Sequence, residues 1–74
     1  NMQDDKKMLS AALGLIRKGI PVFPIQRKGK KPLTKNGFKD ATTDEEVVQA
    51  WWKKWPQANI GIPTGEISGF FVFD

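Results

Sequence analysis

The chain has 74 residues, 39% of them hydrophobic, and its formal net charge is +4. Three tryptophans and five phenylalanines make it too apolar and aromatic for an intrinsically disordered protein, while its length supports one core of marginal size. The lack of cysteine and histidine excludes disulfide bonds, thiolate metal sites and histidine as a general base or metal ligand.

The first predicted element is a helix that begins at residue 4 or 5 and ends at Lys18. Its apolar side chains recur at helical spacing and form one stripe, which consists of Met8, Leu9, Ala12, Leu13, Leu15 and Ile16. Gly19 supplies a left-handed residue that ends the helix. Residues 20–25 should then form a short strand. Because Pro21 and Pro24 cannot donate hydrogen bonds, this strand is predicted to lie at an edge or to pair mainly on one side.

Residues 26–41 are predicted to form a long loop, in which Gly29 and Gly37 adopt positive φ angles. Six of the twelve cations lie in this segment with no acid among them: Arg27, Lys28, Lys30, Lys31, Lys35 and Lys39. The rest of the chain has six cations and eight carboxylates, so the positive charge is local to the loop. Such clustering suits a phosphate clamp centred on residues 29–33. The alternative is a basic loop whose charges only face water.

A second helix should follow, since Thr42 and Thr43 each precede a glutamate by three residues and so predict a capping box in either register. It is expected to end at residue 54 or 55, before Pro56. Residues 59–62 and 69–74 are predicted to be strands joined by a turn. The order is therefore α-β-α-β-β, an α/β or α+β fold with an incomplete sheet.

Three tryptophans lie on the second helix. Helical spacing favours core packing for Trp51 and Trp55 and leaves Trp52 as the one that could be exposed. Because Lys53 and Lys54 lie between them, the same rings could instead stack on nucleic-acid bases.

The C-terminal segment has four large apolar residues, 70–73, followed by Asp74. Such a strand should be covered on both faces, as inner strands are. If it were left exposed, it could pair with another chain, so self-association through this edge is a further expectation. Asp74 is the one carboxylate that ends an apolar strand, which suits a metal ligand, although the residues alone favour a simple polar strand terminus. We interpret the chain as the front part of a larger domain.

The turn before this strand, Gly61–Gly65, is followed by Gly69 but lacks the Gly-Lys-Ser/Thr of a phosphate-binding P-loop and leads into a strand. Thr64 and nearby backbone amides could still meet a phosphate. A plain hairpin connection explains the glycines equally.

Six segments of the chain form a recognisable series. They are Gly-Ile-Pro-Val-Phe-Pro (19–24), Gly-Lys-Lys-Pro-Leu (29–33), Gly-Phe-Lys-Asp-Ala-Thr-Thr-Asp (37–44), Ala-Trp-Trp (50–52), Trp-Pro-Gln-Ala-Asn-Ile-Gly-Ile-Pro-Thr-Gly (55–65) and Ser-Gly-Phe-Phe-Val-Phe-Asp (68–74). From about Leu9 to Asp74, the chain resembles the N-terminal half of bifunctional DNA primase/polymerase domains. These belong to the archaeo-eukaryotic primase superfamily and are common in replication proteins of phages, plasmids and integrated elements.

The resemblance implies a template-directed nucleotidyltransferase that uses Mg²⁺ or Mn²⁺. Asp74 would be the first catalytic and metal-binding acid, with its partner acid two positions further on. The phosphate-binding candidates are Arg27, Lys28, Lys30, Lys31 and Lys39. The residues implied to shape the nucleotide site beside Asp74 are Asn59, Gly61, Thr64 and Gly65. With one acid of a multi-ligand site, the 74-residue chain by itself is expected to be inactive.

The implied partners are a DNA template and primer, ribo- or deoxyribonucleoside triphosphates and a helicase domain. The charged N-terminus has no signal-peptide pattern, and no apolar run approaches the roughly 20 residues that span a bilayer. We therefore expect a cytoplasmic protein without membrane contact. The alternative function is a stand-alone basic DNA-binding module without catalysis.

Overall fold

A computed structural model describes residues 2–66 and 69–73. Its elements are helix α1 (Met2–Arg17), strand β1 (Phe23–Ile25), a 3₁₀ helix (Gly37–Asp40), helix α2 (Glu45–Lys54), strand β2 (Asn59–Pro63) and strand β3 (Phe70–Phe73). They confirm the predicted α-β-α-β-β order and the α+β class with an open sheet, and add the 3₁₀ helix. Within the described residues, no helix is long and apolar enough to cross a membrane.

Helix α1 ends as its sequence predicts. Gly19 has φ +84°, and its N–H donates to the carbonyl of Ile16 at 2.9 Å. The N–H of Ile20 donates to the carbonyl of Leu15 at 3.1 Å. This pair of hydrogen bonds satisfies carbonyls that the last helical turn leaves free, so the glycine both ends the helix and redirects the chain into the sheet.

The sheet is antiparallel throughout, in the order β1-β2-β3. Strand β1 therefore lies at an edge, and its outer side has two isolated bridges, Val22 with Thr42 and Ile25 with Pro32. This confirms that β1 pairs mainly on one side. Since both β1 and β3 run opposite to β2, their C-terminal ends lie at the same end of the sheet, where β2 begins.

Both helices pack on one face of the sheet. The core cluster there consists of Ala12, Ile16, Val22, Val48, Trp52, Ala58 and Ile60. On the other face, Phe23 and Ile25 are fully buried. A Cβ atom built at Gly61 would lie 2.5 Å from Cζ of Phe23 and 2.6 Å from Cδ1 of Ile25. Gly61 is therefore required by close packing under these two side chains.

The predicted capping box is wrong. Helix α2 begins after Asp44, whose Oδ1 accepts hydrogen bonds from the backbone N–H groups of Glu46 at 2.9 Å and Val47 at 3.4 Å. Thr42 is paired with Val22 through two backbone hydrogen bonds, so its backbone is held beside the sheet instead of opening a helix. Its hydroxyl accepts from the N–H of Asp44 at 3.0 Å, so Thr42 positions the cap.

The prediction that Trp52 is the tryptophan that could be exposed is also wrong. Trp52 is 2% exposed, and its Nε1–H donates to the carbonyl of Ala58 at 3.0 Å. Trp51 and Trp55 are half-buried and pack against the core cluster, as predicted. Two apolar stripes run along α2, and the one through Val48 and Trp52 is buried against the sheet. The carbonyl of Ala58 accepts the hydrogen bond that a buried indole needs, so this stripe can be buried without an unpaired donor.

The expectation that β3 is covered on both faces is not met by the described residues. Phe70 and Val72 are half-buried, and the ring of Phe70 makes an edge contact with Phe23 at 5.4 Å between centroids. Phe71 and Phe73 are 65% and 41% exposed. They lie on the face of Ile60 and Ile62, but the helices pack mainly over β1 and β2.

Candidate nucleic-acid interface

The basic segment after β1 folds back as a small hairpin. The N–H of Gln26 donates to the carbonyl of Lys31 at 2.8 Å, and the N–H of Leu33 donates to the carbonyl of Pro24 at 3.0 Å. Gly29 and Lys30 both have positive φ, at +83° and +56°. The positive φ predicted for Gly29 is confirmed, as is that of Gly37 at +62°. The hairpin tip presents four cations within five residues: Arg27, Lys28, Lys30 and Lys31.

All six cations of the segment are exposed. Among the side chains of residues 6–66 and 69–73, the only ion pair joins Arg17 of α1 to Glu45 of α2, at 3.1 Å. The nearby carboxylate of Asp40 instead accepts hydrogen bonds from the backbone and side-chain N–H groups of Asn36, at 2.9 and 3.2 Å. The described carboxylates therefore do not neutralise the hairpin, which keeps its charge available for an anionic ligand.

The hairpin follows β1 at the end of the sheet where β3 also ends. Ile25, the last residue of β1, lies opposite Asn59, and Phe73, the last residue of β3, lies opposite Ile60. The structure thus brings together the basic hairpin, Asn59 and the C-terminal end of β3. Asp74, the predicted catalytic and metal-binding residue, lies outside the described residues.

The remaining predicted nucleotide-site residues lie elsewhere. Thr64 and Gly65 follow β2 at the opposite end of the sheet, about 16 Å from Asn59 along the strand. There the N–H of Thr64 donates to the carbonyl of Gly69 at 3.2 Å, its hydroxyl accepts from the N–H of Glu66 at 3.3 Å, and Gly65 has φ +89°. These contacts are those of a hairpin connection. Gly61 is buried in the middle of β2.

The described part of the chain does not by itself fit a Mg²⁺ or Mn²⁺ site. It contains no group of three or more acidic, histidine or cysteine side chains that could hold a metal ion. Asp40 is hydrogen-bonded to Asn36, Asp44 caps α2 and Glu45 pairs with Arg17, so three of its carboxylates already have structural partners.

A groove that the sequence did not predict as a site adjoins the hairpin. Its volume is about 560 Å³, and it is lined by Gln26, Arg27, Lys28, Leu33, Lys54, Trp55, Pro56, Gln57 and Ala58. Arg27 and Lys28 were predicted to bind phosphate. Trp55 was predicted to pack in the core, with base stacking beside Lys53 and Lys54 as the alternative, and Gln57 was not predicted. The signal in the sequence is the run of a cation, an aromatic residue and a proline at the end of α2, which places a ring beside solvent.

Comparison with known proteins identifies the family. The family model for the N-terminal region of bifunctional DNA primase/polymerases, Prim-Pol, matches residues 12–74. That range includes the basic hairpin, α2, the groove and all three strands. No curated protein and no solved structure matches the chain. Because the family match covers most of the chain and spans all six sequence segments, the chain belongs to the bifunctional DNA primase/polymerase N-terminal (Prim-Pol) family.

Proposed function

We propose that the domain to which this chain belongs catalyses template-directed, metal-dependent nucleotidyl transfer, and so makes or extends DNA primers in the replication of a phage, plasmid or integrated element. The observation that carries the proposal is the family match over residues 12–74. The arrangement of the sheet supports it, because the exposed basic hairpin and the C-terminal end of β3 lie at the same end of the sheet. A nucleic acid and an acid at the end of β3 would have to meet there.

The roles proposed for individual residues follow from this arrangement. Asp74 would contribute one ligand to the Mg²⁺ or Mn²⁺ site, which needs further acids, since two-metal sites share several carboxylates. The hairpin cations and Lys39 would contact phosphates of template, primer or nucleoside triphosphate as point charges or, for Arg27, as a planar donor. Among the residues predicted to shape the nucleotide site, Asn59 is the one that lies at this end of the sheet. Gly61, Thr64 and Gly65 would support the site by shaping β2 and its turn.

The decisive experiment uses a complete polymerase domain that contains this chain. The Asp74→Ala variant should lose primer extension in Mg²⁺ or Mn²⁺, while its affinity for primer–template DNA stays close to that of the parent. Removing one metal-binding or other catalytic group commonly costs two to several orders of magnitude in rate, about 100-fold or more. Glu66→Ala, at the exposed β2–β3 connection, is the matched control and should leave both quantities unchanged.

Primer extension that persists in the Asp74→Ala variant would refute the assigned role of Asp74. The unmodified 74-residue chain is a second reference. Because its described residues contain no acidic cluster for a metal ion, nucleotide incorporation by this chain alone would contradict the proposed multi-ligand site.

A stand-alone DNA-binding module without catalysis is the second candidate. The exposed cations of the hairpin favour it, because they need no metal site to bind a phosphate backbone. The two functions differ in one measurement. The module binds DNA without any nucleotide incorporation in the complete protein, whereas the polymerase shows incorporation that depends on Asp74.

A further inference from the structure

We propose that the groove beside the basic hairpin, named here the Trp55 groove and lined by residues 26–28, 33 and 54–58, binds single-stranded DNA. One base would stack on Trp55, and the neighbouring phosphates would contact Arg27, Lys28 and Lys54. The inference rests on the proposed function, because it states where a polymerase domain of this kind would hold an unpaired strand. Its evidence is the charge, the aromatic surface and the rigid support of the groove.

The charge of the groove suits a nucleic-acid strand. Among the described residues that line it, three are cations and none is a carboxylate. Arg27 Nη1 donates to Oε1 of Gln57 at 2.6 Å, which joins the hairpin to the segment after α2 across the groove. A guanidinium has five N–H donors, so this one bond positions Arg27 and leaves other donors for a phosphate.

Trp55 provides the aromatic surface. It is half-buried at the C-terminal end of α2, and the ammonium of Lys54 lies 4.7 Å from its ring centroid. An exposed cation–π contact of this kind is weaker than the stacking of a base on an aromatic ring. A base can therefore replace the ammonium over the ring, and the displaced Lys54 then lies beside the phosphate of that nucleotide.

The groove is held in place before any ligand binds. The N–H of Trp55 donates to the carbonyl of Trp51 at 2.8 Å, and the carbonyl of Trp55 accepts from the N–H of Ala58 at 3.1 Å. The buried indole of Trp52 donates to the carbonyl of Ala58, which fixes the same segment to the core. A backbone that is already ordered avoids part of the entropy cost of ordering a site.

An unpaired strand fits these features better than a duplex does. Bases in a duplex have both faces covered by their neighbours, so a ring in a groove cannot stack on them without opening the helix. A single strand offers an aromatic face on every base, and its binding tolerates any sequence. Arg27, Lys28 and Lys54 line the same groove as Trp55, so they would contact the phosphates next to a stacked base.

The test is a fluorescence titration of the 74-residue chain with a 12-nucleotide oligothymidylate, without divalent metal or nucleoside triphosphate. The oligonucleotide should quench tryptophan emission, and Trp55→Ala should weaken binding about fivefold or more and remove most of the quenching. Trp51→Phe is the matched control, because Trp51 is also half-buried on α2 but does not line the groove. Its affinity should stay within about twofold of the parent's. Circular dichroism confirms that each variant is folded.

A second pair of variants tests the charge without altering the aromatic ring. Arg27→Ala combined with Lys28→Ala should lower the slope of log affinity against log salt by about 1.4, since each phosphate contact to a single strand contributes about 0.7. Lys6→Ala combined with Lys18→Ala removes the same charge from exposed positions outside the groove and should leave that slope unchanged.

Three results would overturn the inference. They are an absence of oligothymidylate binding, Trp55→Ala affinity equal to the parent's, and tighter binding of a 12-base-pair duplex than of the single strand. Any of them can occur while Asp74→Ala still abolishes synthesis in the complete domain, in which case the groove proposal fails alone. Conversely, binding that depends on Trp55 in a complete domain without polymerase activity would support the groove and reject the enzymatic proposal.

Discussion

Gly61 is the residue at which a single added methyl group should be most costly. Its missing side chain lets Phe23 and Ile25 pack directly over β2, at 2.5 and 2.6 Å from where a Cβ would lie. Gly61→Ala should therefore lower the free energy of unfolding by about 1–3 kcal/mol through overpacking. Gly14→Ala is the control, because a Cβ atom added at Gly14 would meet no neighbouring atom within 4 Å. Gly14 lies in α1, where alanine should raise the free energy of unfolding by about 0.5–1 kcal/mol. Equal urea midpoints for the two variants would contradict the packing argument.

At single residues, the sequence predicts what is decided locally and misses what is decided by docking. The positive φ angles of Gly29 and Gly37 follow from turn preferences of neighbouring residues, and the structure has them. The burial of Trp52 depends on which stripe of α2 meets the sheet and on the free carbonyl of Ala58. Likewise, Asp44 becomes the cap of α2 because Thr42 is held by Val22, a residue 20 positions away. No local pattern contains that contact.

At the scale of elements, the basic hairpin should determine how strongly the protein binds DNA. Replacing Lys30 and Lys31 together by alanine removes two exposed cations and leaves the backbone hydrogen bonds of the hairpin in place. The slope of log affinity against log salt for duplex DNA should fall by about 1.8, and binding should weaken most at low salt. Fluorescence anisotropy at several salt concentrations measures both quantities.

The control for this prediction carries the same loss of charge on another element. Lys7→Ala combined with Lys18→Ala removes two exposed lysines from α1 and the turn that follows it. If both double variants lower the salt slope equally, binding reflects the net charge of the molecule, and the hairpin has no special role. Parent-like binding by the hairpin variant alone would show that the loop charges only face water.

Most elements could be predicted because their signals are continuous along the chain. The stripe of α1, its glycine cap and the apolar runs of β2 and β3 each depend on neighbouring residues. The fold-back of the basic segment could not, since it depends on a bridge between Ile25 and Pro32 across a loop with mixed turn signals. The 3₁₀ helix at Gly37–Asp40 is a single short turn, and its sequence carries no helical period.

For the whole molecule, function depends on which ends of the strands meet. The β1–β2 and β2–β3 registers place the basic hairpin, the Trp55 groove and the C-terminal end of β3 at one end of the sheet. They place the Thr64–Gly65 connection at the other end. Strand order and direction arise from long-range pairing, whereas Thr64 was grouped with Asp74 only by what the family resemblance implies. The sequence therefore predicts individual residues of the candidate interface, whereas only the fold shows which of them lie close together.

The two edges of the sheet differ, and this difference predicts self-association through β3. The outer side of β1 is partly covered by Thr42 and Pro32. Among the described residues, β3 pairs only with β2. Phe71 is 65% exposed beside it, so an edge and an apolar surface coincide. We therefore expect the 74-residue chain to form a dimer whose population rises with concentration in sedimentation velocity experiments.

Phe71→Lys should weaken this dimer. It removes a phenyl surface whose burial stabilises by about 2 kcal/mol and adds a charge that opposes edge pairing, so the dissociation constant should rise about tenfold or more. Val47→Lys alters an apolar side chain of α2 that is 38% exposed, and it should leave the dissociation constant unchanged. A chain that stays monomeric at the highest concentration, or equal effects of the two lysines, would show that the free edge of β3 does not pair. In that case the exposed rings of Phe71 and Phe73 would not be enough to hold two strands together. The loss of entropy on association would then cost more free energy than pairing along one four-residue strand provides.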